Sequence, residues 1–367
     1  MSACAECLRR ARLIGFLAVR IADALADRRG ASAILALSDE ELIQAVAGDT
    51  AADARRLVKG FDDRIARAEL QAAGLHAVCR HSDLYPQPLL DLGDPPAVLH
   101  TTVPPDRLAE MCAAPTVAVV GTRRASAYGL EVARELGRGL ADAGVTVVSG
   151  LALGIDAAAH RGALDAEGPT IAVLGCGADR AYPRTHHALY DRIRAHGAVT
   201  AELPPGQRPQ KWTFPARNRI MAGLARVTVV VEAAERSGSL ITASFAQDLG
   251  REVGAVPGRV TSLMAAGANG LLHAGAAPIR GPEDVLDMLF GAGNWGSKRG
   301  ARAARRASLD PGLRRILGAV EAGDGVDDFA RGAGLPAADV RAALGRLELL
   351  GLVRRDGLGA YERVAGR

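Results

Sequence analysis

The segment Gly206-Gln-Arg-Pro-Gln-Lys-Trp-Thr-Phe-Pro-Ala-Arg-Asn-Arg219 brings together the side chains best suited to ligand chemistry. It carries Arg208, Lys211, Arg217 and Arg219 without a carboxylate, and Trp212 and Phe214 stand among them. Pro215 predicts a helix start, because proline fits the first helical position. Arg217 and Arg219 would then lie in the first turn, where the helix dipole already disfavours cations and a docked anion would relieve the repulsion. Arg123 and Arg124 stand in the same position before another expected helix. Positive charge beside aromatic rings suits a single nucleic-acid strand, whose phosphates need counter-charge and whose bases stack. Trp212 and Phe214 either supply that platform or anchor the loop in the core.

Four further loops have the composition to approach a phosphate: Gly121-Thr122-Arg123-Arg124, Ser149-Gly150-Leu151, Gly175-Cys176-Gly177 and Ser237-Gly238-Ser239. Small residues let backbone N–H groups come close to an anion at a helix N-terminus. Tight strand-to-helix turns need glycine in any case, so only the four together point to an anionic ligand. Gly175-x-Gly177 lacks the third glycine of a dinucleotide fingerprint.

Catalytic constellations are mostly missing. The three lysines are Lys59, Lys211 and Lys298, and none follows a glycine, so a G-x-x-x-x-G-K-[ST] phosphate loop is excluded. There is no H-E-x-x-H, and Ser149 lacks the preceding glycine of a nucleophile elbow. Asp156 and His160 are four residues apart on an expected helix, where they suit hydrogen bonding to loop backbone better than acid–base work. His186 and His187 are adjacent, so their side chains diverge. Cys4 and Cys7 form a C-x-x-C, but no second pair follows at zinc-ribbon spacing; the spacing reads as incidental, and no metal or other cofactor is expected.

These loops need a scaffold. Short runs rich in β-branched residues at 116–120, 145–148, 170–174, 198–201, 227–231 and 252–256 are nearly continuously apolar, as strands buried on both faces of a parallel sheet are. Helical patterns at 128–143 and 155–166 alternate with them. The fold class expected is therefore α/β, a Rossmann-like, doubly wound, mostly parallel sheet spanning 75–290. Residues 1–74 read as a small helical domain, with a capping box at Ser38-Asp39-Glu40-Glu41 and a helix over 50–73. Residues 291–309 form a Gly/Ala/Arg linker. Over 310–367, helices at 311–321, 327–333 and 337–350 and a hairpin around Asp356-Gly357 predict a winged helix.

The chain has 367 residues, 49% apolar and 23% charged, which rules out wholesale disorder. The net charge of +4 is unevenly spread: residues 203–231 and 288–309 contain no acid and five basic residues each. The terminal segments are neutral, and a neutral winged helix suits protein contact better than reading duplex DNA. No stretch is apolar for long enough to span a membrane, and five cysteines suit reduced thiols in the cytoplasm.

Val119-Val-Gly-Thr-Arg123, Ser126-x-Tyr-Gly129, Ser149-Gly-Leu-Ala-Leu-Gly-Ile-Asp-Ala-Ala-Ala-His160, Phe214-Pro-Ala-Arg-Asn-Arg219, Ser237-Gly-Ser-Leu-Ile-Thr242 and Val256-Pro-Gly258 occur in this order. The series resembles the DNA-processing protein A family (DprA, also called Smf) over about 85–284. The resemblance implies a Rossmann-like fold that binds single-stranded DNA without catalysis, dimerises, and loads a RecA-type recombinase during natural transformation. It also implies an N-terminal module of the SAM or helix-hairpin-helix kind. Carried over, Arg123 and Lys211 are phosphate contacts, Phe214 a base-stacking residue, and Arg217 and Asn218 loop-shaping or phosphate contacts. With Gly121, Thr122, Gly150, Arg219, Ser237 and Gly238 they make up the expected nucleic-acid site. Leu153 stands where the family usually has Arg, and Ala201-Glu202-Leu203 replaces a more usual Ser-Glu-Tyr. A second class stays open: a nucleotide-binding or nucleotide N-glycosidic-bond-hydrolysing enzyme, which would need a carboxylate beside Ser237, with Glu232 and Glu235 the candidates.

Overall fold

Apolar spacing and caps set the N-terminal helices: α1 (Ala5–Ala24), α2 (Ala31–Leu35), α3 (Asp39–Val46), α4 (Ala51–Lys59) and α5 (Asp63–Ala72). The computed structural model describes residues 3–25, 31–295, 311–322, 336–349, 353–355 and 361–363. The capping box forms as expected, with the Ser38 side chain accepting from the Glu41 N–H and the Glu41 carboxylate accepting from the Ser38 N–H. The single helix expected over 50–73 is two: α4 ends at Gly60, and Asp62 starts α5 by accepting from the Arg64 N–H. Leu13, Leu17 and Ile21 of α1 are buried against Leu42 and Ile43 of α3.

The sheet follows. Its strands are β1 (His76–Cys79), β2 (Val98–Thr101), β3 (Thr116–Val120), β4 (Thr146–Ser149), β5 (Thr170–Leu174), β6 (Ala198–Ala201), β7 (Val227–Val230), β8 (Glu252–Ala255) and β9 (Ala277–Pro278). Among the described residues they form one sheet in the order β1-β2-β6-β5-β4-β3-β7-β8-β9. From β6 to β9 every pairing is parallel; β1 and β2 add antiparallel pairs at one edge. The chain runs from β3 outward to β6 and then crosses to the far side of β3 as β7, so the order reverses between β3 and β7. Residues of β3 through β7 are buried along their whole length, which explains their uniformly apolar, β-branched runs.

Crossover helices cover the sheet: α6 (Pro105–Ala113), α7 (Ala127–Asp142), α8 (Ile155–Asp165), α9 (His187–His196), α10 (Thr213–Leu224), α11 (Ser239–Asp248), α12 (Ala266–His273) and α13 (Pro282–Phe290). Glycines allow α7 and α8 to pack closely: a Cβ at Gly137 would run into the Ala159 carbonyl, and one at Gly162 into that of Arg134. The N-terminal helices and the sheet belong to one compact unit, Met1–Ala292, and Gly293–Arg367 makes a second. Among the described residues no helix is long and apolar enough to cross a membrane.

In the second unit, α14 (Pro311–Ala322) and α15 (Ala337–Leu349) bury Leu313, Ile316 and Leu317 against Val340, Leu344 and Leu347. Strands β10 (Val353–Arg355) and β11 (Tyr361–Arg363) pair antiparallel, with Val353 opposite Arg363. The helix expected at 327–333 and the turn at Asp356-Gly357 lie outside the described residues, as does most of the expected linker.

Candidate nucleic-acid interface

The carboxyl ends of β3, β4 and β5 open into a cleft with about 480 Å³ of empty volume, lined by Arg123, Gly150, Leu153, Tyr182, Phe214 and Arg217 among others. This is where open α/β sheets place ligands. Arg123 is exposed and its guanidinium carbon stands 5.0 Å from the centre of the Phe214 ring. Tyr182 completes the aromatic surface, with its ring centroid 5.6 Å from that of Phe214 and the planes tilted by 37°. Leu153, exposed at 44%, presents an apolar side chain to the same cleft.

Helix α10 organises the floor. It starts at Thr213, two residues before Pro215, because any of the first four helical N–H groups lacks an intrahelical partner and a proline there breaks no bond. Arg217 and Asn218 consequently fall in the second turn, and both turn inward. Arg217 Nη1 donates to the carbonyls of Gly150 (2.6 Å) and Val173 (2.5 Å), and its Nε donates to Asn218 Oδ1 at 3.0 Å. Asn218 Nδ2 donates to the Gly238 carbonyl at 3.1 Å. One helix thereby ties together the loops after β4 and β7 and the end of strand β5. A Cβ on Gly150 would overlap the Arg217 guanidinium, so glycine is required there for space.

Asp156 sits beneath the same loop. Its carboxylate accepts from the N–H groups of Gly150 (3.1 Å) and Ala152 (3.4 Å) and lies 3.6 Å from Arg217 Nη2. Burial pushes its carboxyl up, against the pull of the Arg217 charge. These contacts fix a loop in which Leu151 adopts a φ of 57°, a left-handed conformation costly for a side chain with a Cβ. His186 also holds Leu151, through its Nδ1 at 3.1 Å from the carbonyl. His160 is fully buried and bonds Thr170 Oγ1 at 2.7 Å, apart from the cleft.

The β3 loop is braced from the other side. The Thr122 N–H donates to the Glu232 carbonyl (2.7 Å), and the Glu232 carboxylate accepts from the Ser126 N–H (2.9 Å) and hydroxyl (2.5 Å) at the start of α7. Gly121 leaves room for Ile155 and the Glu232 backbone. Ser237 and Ser239 share a hydrogen bond of 2.8 Å, with Gly238 exposed between them. Glu232 is thus committed to helix capping, and the Thr122 N–H to a backbone bond.

Two sequence expectations are corrected here, and for Trp212 the core-anchor alternative holds. Arg219 cannot contact a phosphate: it is fully buried, with Nε 2.7 Å from Asp94 Oδ2 and Nη2 2.8 Å from Glu202 Oε1. Two carboxylates absorb the charge that the acid-free segment suggested was available. Trp212 is no stacking platform, being buried beside α1 with Nε1 donating to the Ala18 carbonyl at 2.7 Å. The Cys4/Cys7 pair is not isolated either, since folding brings Cys79 and His81 beside it. Lys211 is exposed just before α10. Tyr182 escaped the sequence reading; its signal was a rare aromatic beside Arg180 in the loop after β5.

Comparison with known proteins identifies the family and the fold. Residues 76–290 match the family model described as DNA recombination-mediator protein A, and 300–357 match the DprA winged helix domain. A putative DNA processing protein DprA of Mycobacterium tuberculosis is 43% identical over 310 residues, covering 82% of this chain and 76% of its own. The DNA processing protein DprA of Bacillus subtilis is 39% identical over 222 residues, 60% of this chain and 74% of its own. The X-ray structure of DprA from Streptococcus pneumoniae superposes with a TM-score of 0.62 at 33% identity, covering 78% of this chain and 98% of that one. DNA processing protein A from Helicobacter pylori, whose structure is described for its single-stranded DNA binding mode, gives 0.53 at 30% identity over 59% of this chain and 95% of that one.

Proposed function

The chain belongs to the DNA recombination-mediator protein A family, and from that premise we propose that it binds single-stranded DNA in the Arg123–Phe214 cleft and delivers the strand to a RecA-type recombinase. The observation that carries the reading is the exposed Arg123 lying over Phe214, with Tyr182 beside it, at the carboxyl edge of the sheet. A cation for phosphate and two rings for bases are what a sequence-tolerant single-strand site needs. The Helicobacter pylori relative, described as binding single-stranded DNA, supports the assignment. Lys211, Thr122, Ser237 and Gly238 extend the proposed contact along the same edge, while Gly121, Gly150, Arg217 and Asn218 shape it.

The role is non-enzymatic and cytoplasmic, and it is performed by a homodimer whose two clefts raise effective affinity without new contacts. Commitment of Glu232 to the start of α7 takes up one of the two carboxylates that nucleotide hydrolysis beside Ser237 would draw on, the other being the exposed Glu235. The test is a titration of labelled single-stranded and duplex oligonucleotides at several salt concentrations. Single strands of mixed sequence should bind more tightly than duplex; equal affinity for duplex would defeat the assignment.

A further inference from the structure

We propose that Cys4, Cys7, Cys79 and His81 bind one zinc ion that fastens the N-terminal helix to the first strand of the sheet. Cys4 is the N-cap of α1 and Cys7 lies in its first turn; Cys79 ends β1, and His81 lies in the turn that follows. The two pairs are more than seventy residues apart in the chain, yet all four ligand atoms lie within 4.8 Å of one another. His81 Nδ1 stands 3.5 Å from Sγ of both Cys4 and Cys7.

Those distances can be set against a metal tetrahedron. Zn–S bonds of about 2.3 Å and Zn–N bonds of about 2.0 Å require edges of about 3.5 Å between S and N, and about 3.8 Å between S and S. The two measured S–N edges already have the required length, and no other separation in the cluster needs to close by more than about 1.3 Å. Three thiols and an imidazole select zinc over the hard, oxygen-seeking cations. With all four positions supplied by the protein, the site is of the closed, structural kind, with no position left for a substrate.

The surroundings favour thiolates. The N-terminus of α1 contributes positive potential to Cys4 and Cys7. The Cys4 N–H lies 3.4 Å from Cys79 Sγ, a backbone donor to a thiolate of the sort that orients metal ligands. All five cysteines are free thiols, and Cys112 and Cys176 lie outside the cluster. Ala3, Leu8 and Ala11 of the N-terminal segment already pack in one cluster with Leu75, Ala77 and Cys79, so the ion would lock a contact that the apolar core sets up.

The full chain, expressed with zinc supplied and purified without chelator, should contain one zinc per chain by elemental analysis. Exchange with cobalt(II) should give the visible ligand-field bands and the sulfur-to-cobalt charge transfer of a tetrahedral thiolate site. His81 is exposed, so His81→Ala should fold and yet hold the metal at least about tenfold more weakly. Cys112→Ser should keep it. A chelator should lower the melting temperature of the natural chain and leave that of His81→Ala unchanged. Protein that contains no zinc and gives no sulfur-to-cobalt band overturns the proposal, as does a Cys4–Cys7 disulfide in protein of undiminished melting temperature.

Discussion

The guanidinium of Arg123 covers one face of the Phe214 ring, 5.0 Å from its centre, while Tyr182 approaches the same ring at 5.6 Å. The aromatic surface is therefore already occupied on one side by a cation. In the proposed complex a nucleobase stacking on that face would displace the guanidinium, which would then stand beside the base and be free to meet a phosphate. Ring and cation would exchange partners on binding. Cation–π attraction at an exposed site is about 0.5–1 kcal/mol, small enough for a stacking base to overcome.

Phe214→Ala should weaken single-strand binding by about 1–3 kcal/mol, the usual contribution of a stacked base. Because Phe214 is only half-buried, the melting temperature should change little. Fluorescence anisotropy and thermal melts on the same preparation separate the two effects. A large stability loss with unchanged affinity would mean that the ring serves the loop and not the strand.

Salt dependence tests the cations individually. With Arg123, Lys211 and one or two further basic side chains on phosphates, log K should fall against log salt with a slope of about −2 to −3. Arg123→Ala and Lys211→Ala should each make the slope shallower, by about one unit at most. Arg219 provides the contrast: Arg219→Met removes the buried cation paired with Asp94 and the half-buried Glu202, and breaking such a pair costs about 3–5 kcal/mol of stability. Whatever fraction of Arg219→Met stays folded should bind with the natural slope.

Gly150 tests the scaffold. Gly150→Ala drives a methyl group into the Arg217 guanidinium and breaks its bonds to the Gly150 and Val173 carbonyls. Overpacking of this kind costs about 1–3 kcal/mol, and the displaced loop should reduce DNA affinity as well. Gly238→Ala, where a Cβ meets only open space within the chain, should leave the melting temperature unchanged. Thermal melts of both variants, with strand titrations, check the pair.

How much of this was legible in the chain depends on distance along it. The β-branched runs of β3 to β8 and the Ser38 capping box are local signals, and they located the sheet and the start of α3 to within a residue. Strands β1 and β2 were missed because each carries a histidine in place of a clean apolar run, and β9 because it has only two residues. Arg219 looked like a surface cation because one of its partners, Asp94, is 125 residues away. Trp212 could be read as platform or as core anchor because its acceptor, Ala18, is 194 residues away. A basic or aromatic residue bears no local mark of burial; the carboxylate or carbonyl that absorbs it arrives only with the fold.

Two buried histidines set a pH dependence. Burial holds His100 down to about 4 and His160 to about 3, and both are fully enclosed in the folded chain. The unfolded chain binds their protons near pH 6.5, so below that pH it holds more protons than the native state. Stability from these groups is therefore complete above about pH 6.5 and is lost as pH falls, approaching about 1.4 kcal/mol per pH unit for each histidine. Melts between pH 7 and pH 5, above the range of the carboxylates, should show that decline. His160→Gln should remove roughly half of it.

The mediator role makes the most demanding prediction. A loader must grip a strand and then yield it, which calls for moderate, salt-sensitive affinity; an exchangeable Arg123–Phe214 pair fits that need better than a deep, dry pocket. Two clefts in a dimer would supply residence time through avidity, so that release can proceed one cleft at a time. The dimer should therefore speed ATP hydrolysis by a RecA-type recombinase on strands already coated with single-strand-binding protein, where recombinase assembly is the slow step. On bare strands the acceleration should be small, because little has to be displaced. Phe214→Ala should lose most of the effect on coated strands while remaining dimeric. Unchanged hydrolysis with the intact dimer would rule out loading and leave a protein that only protects the strand.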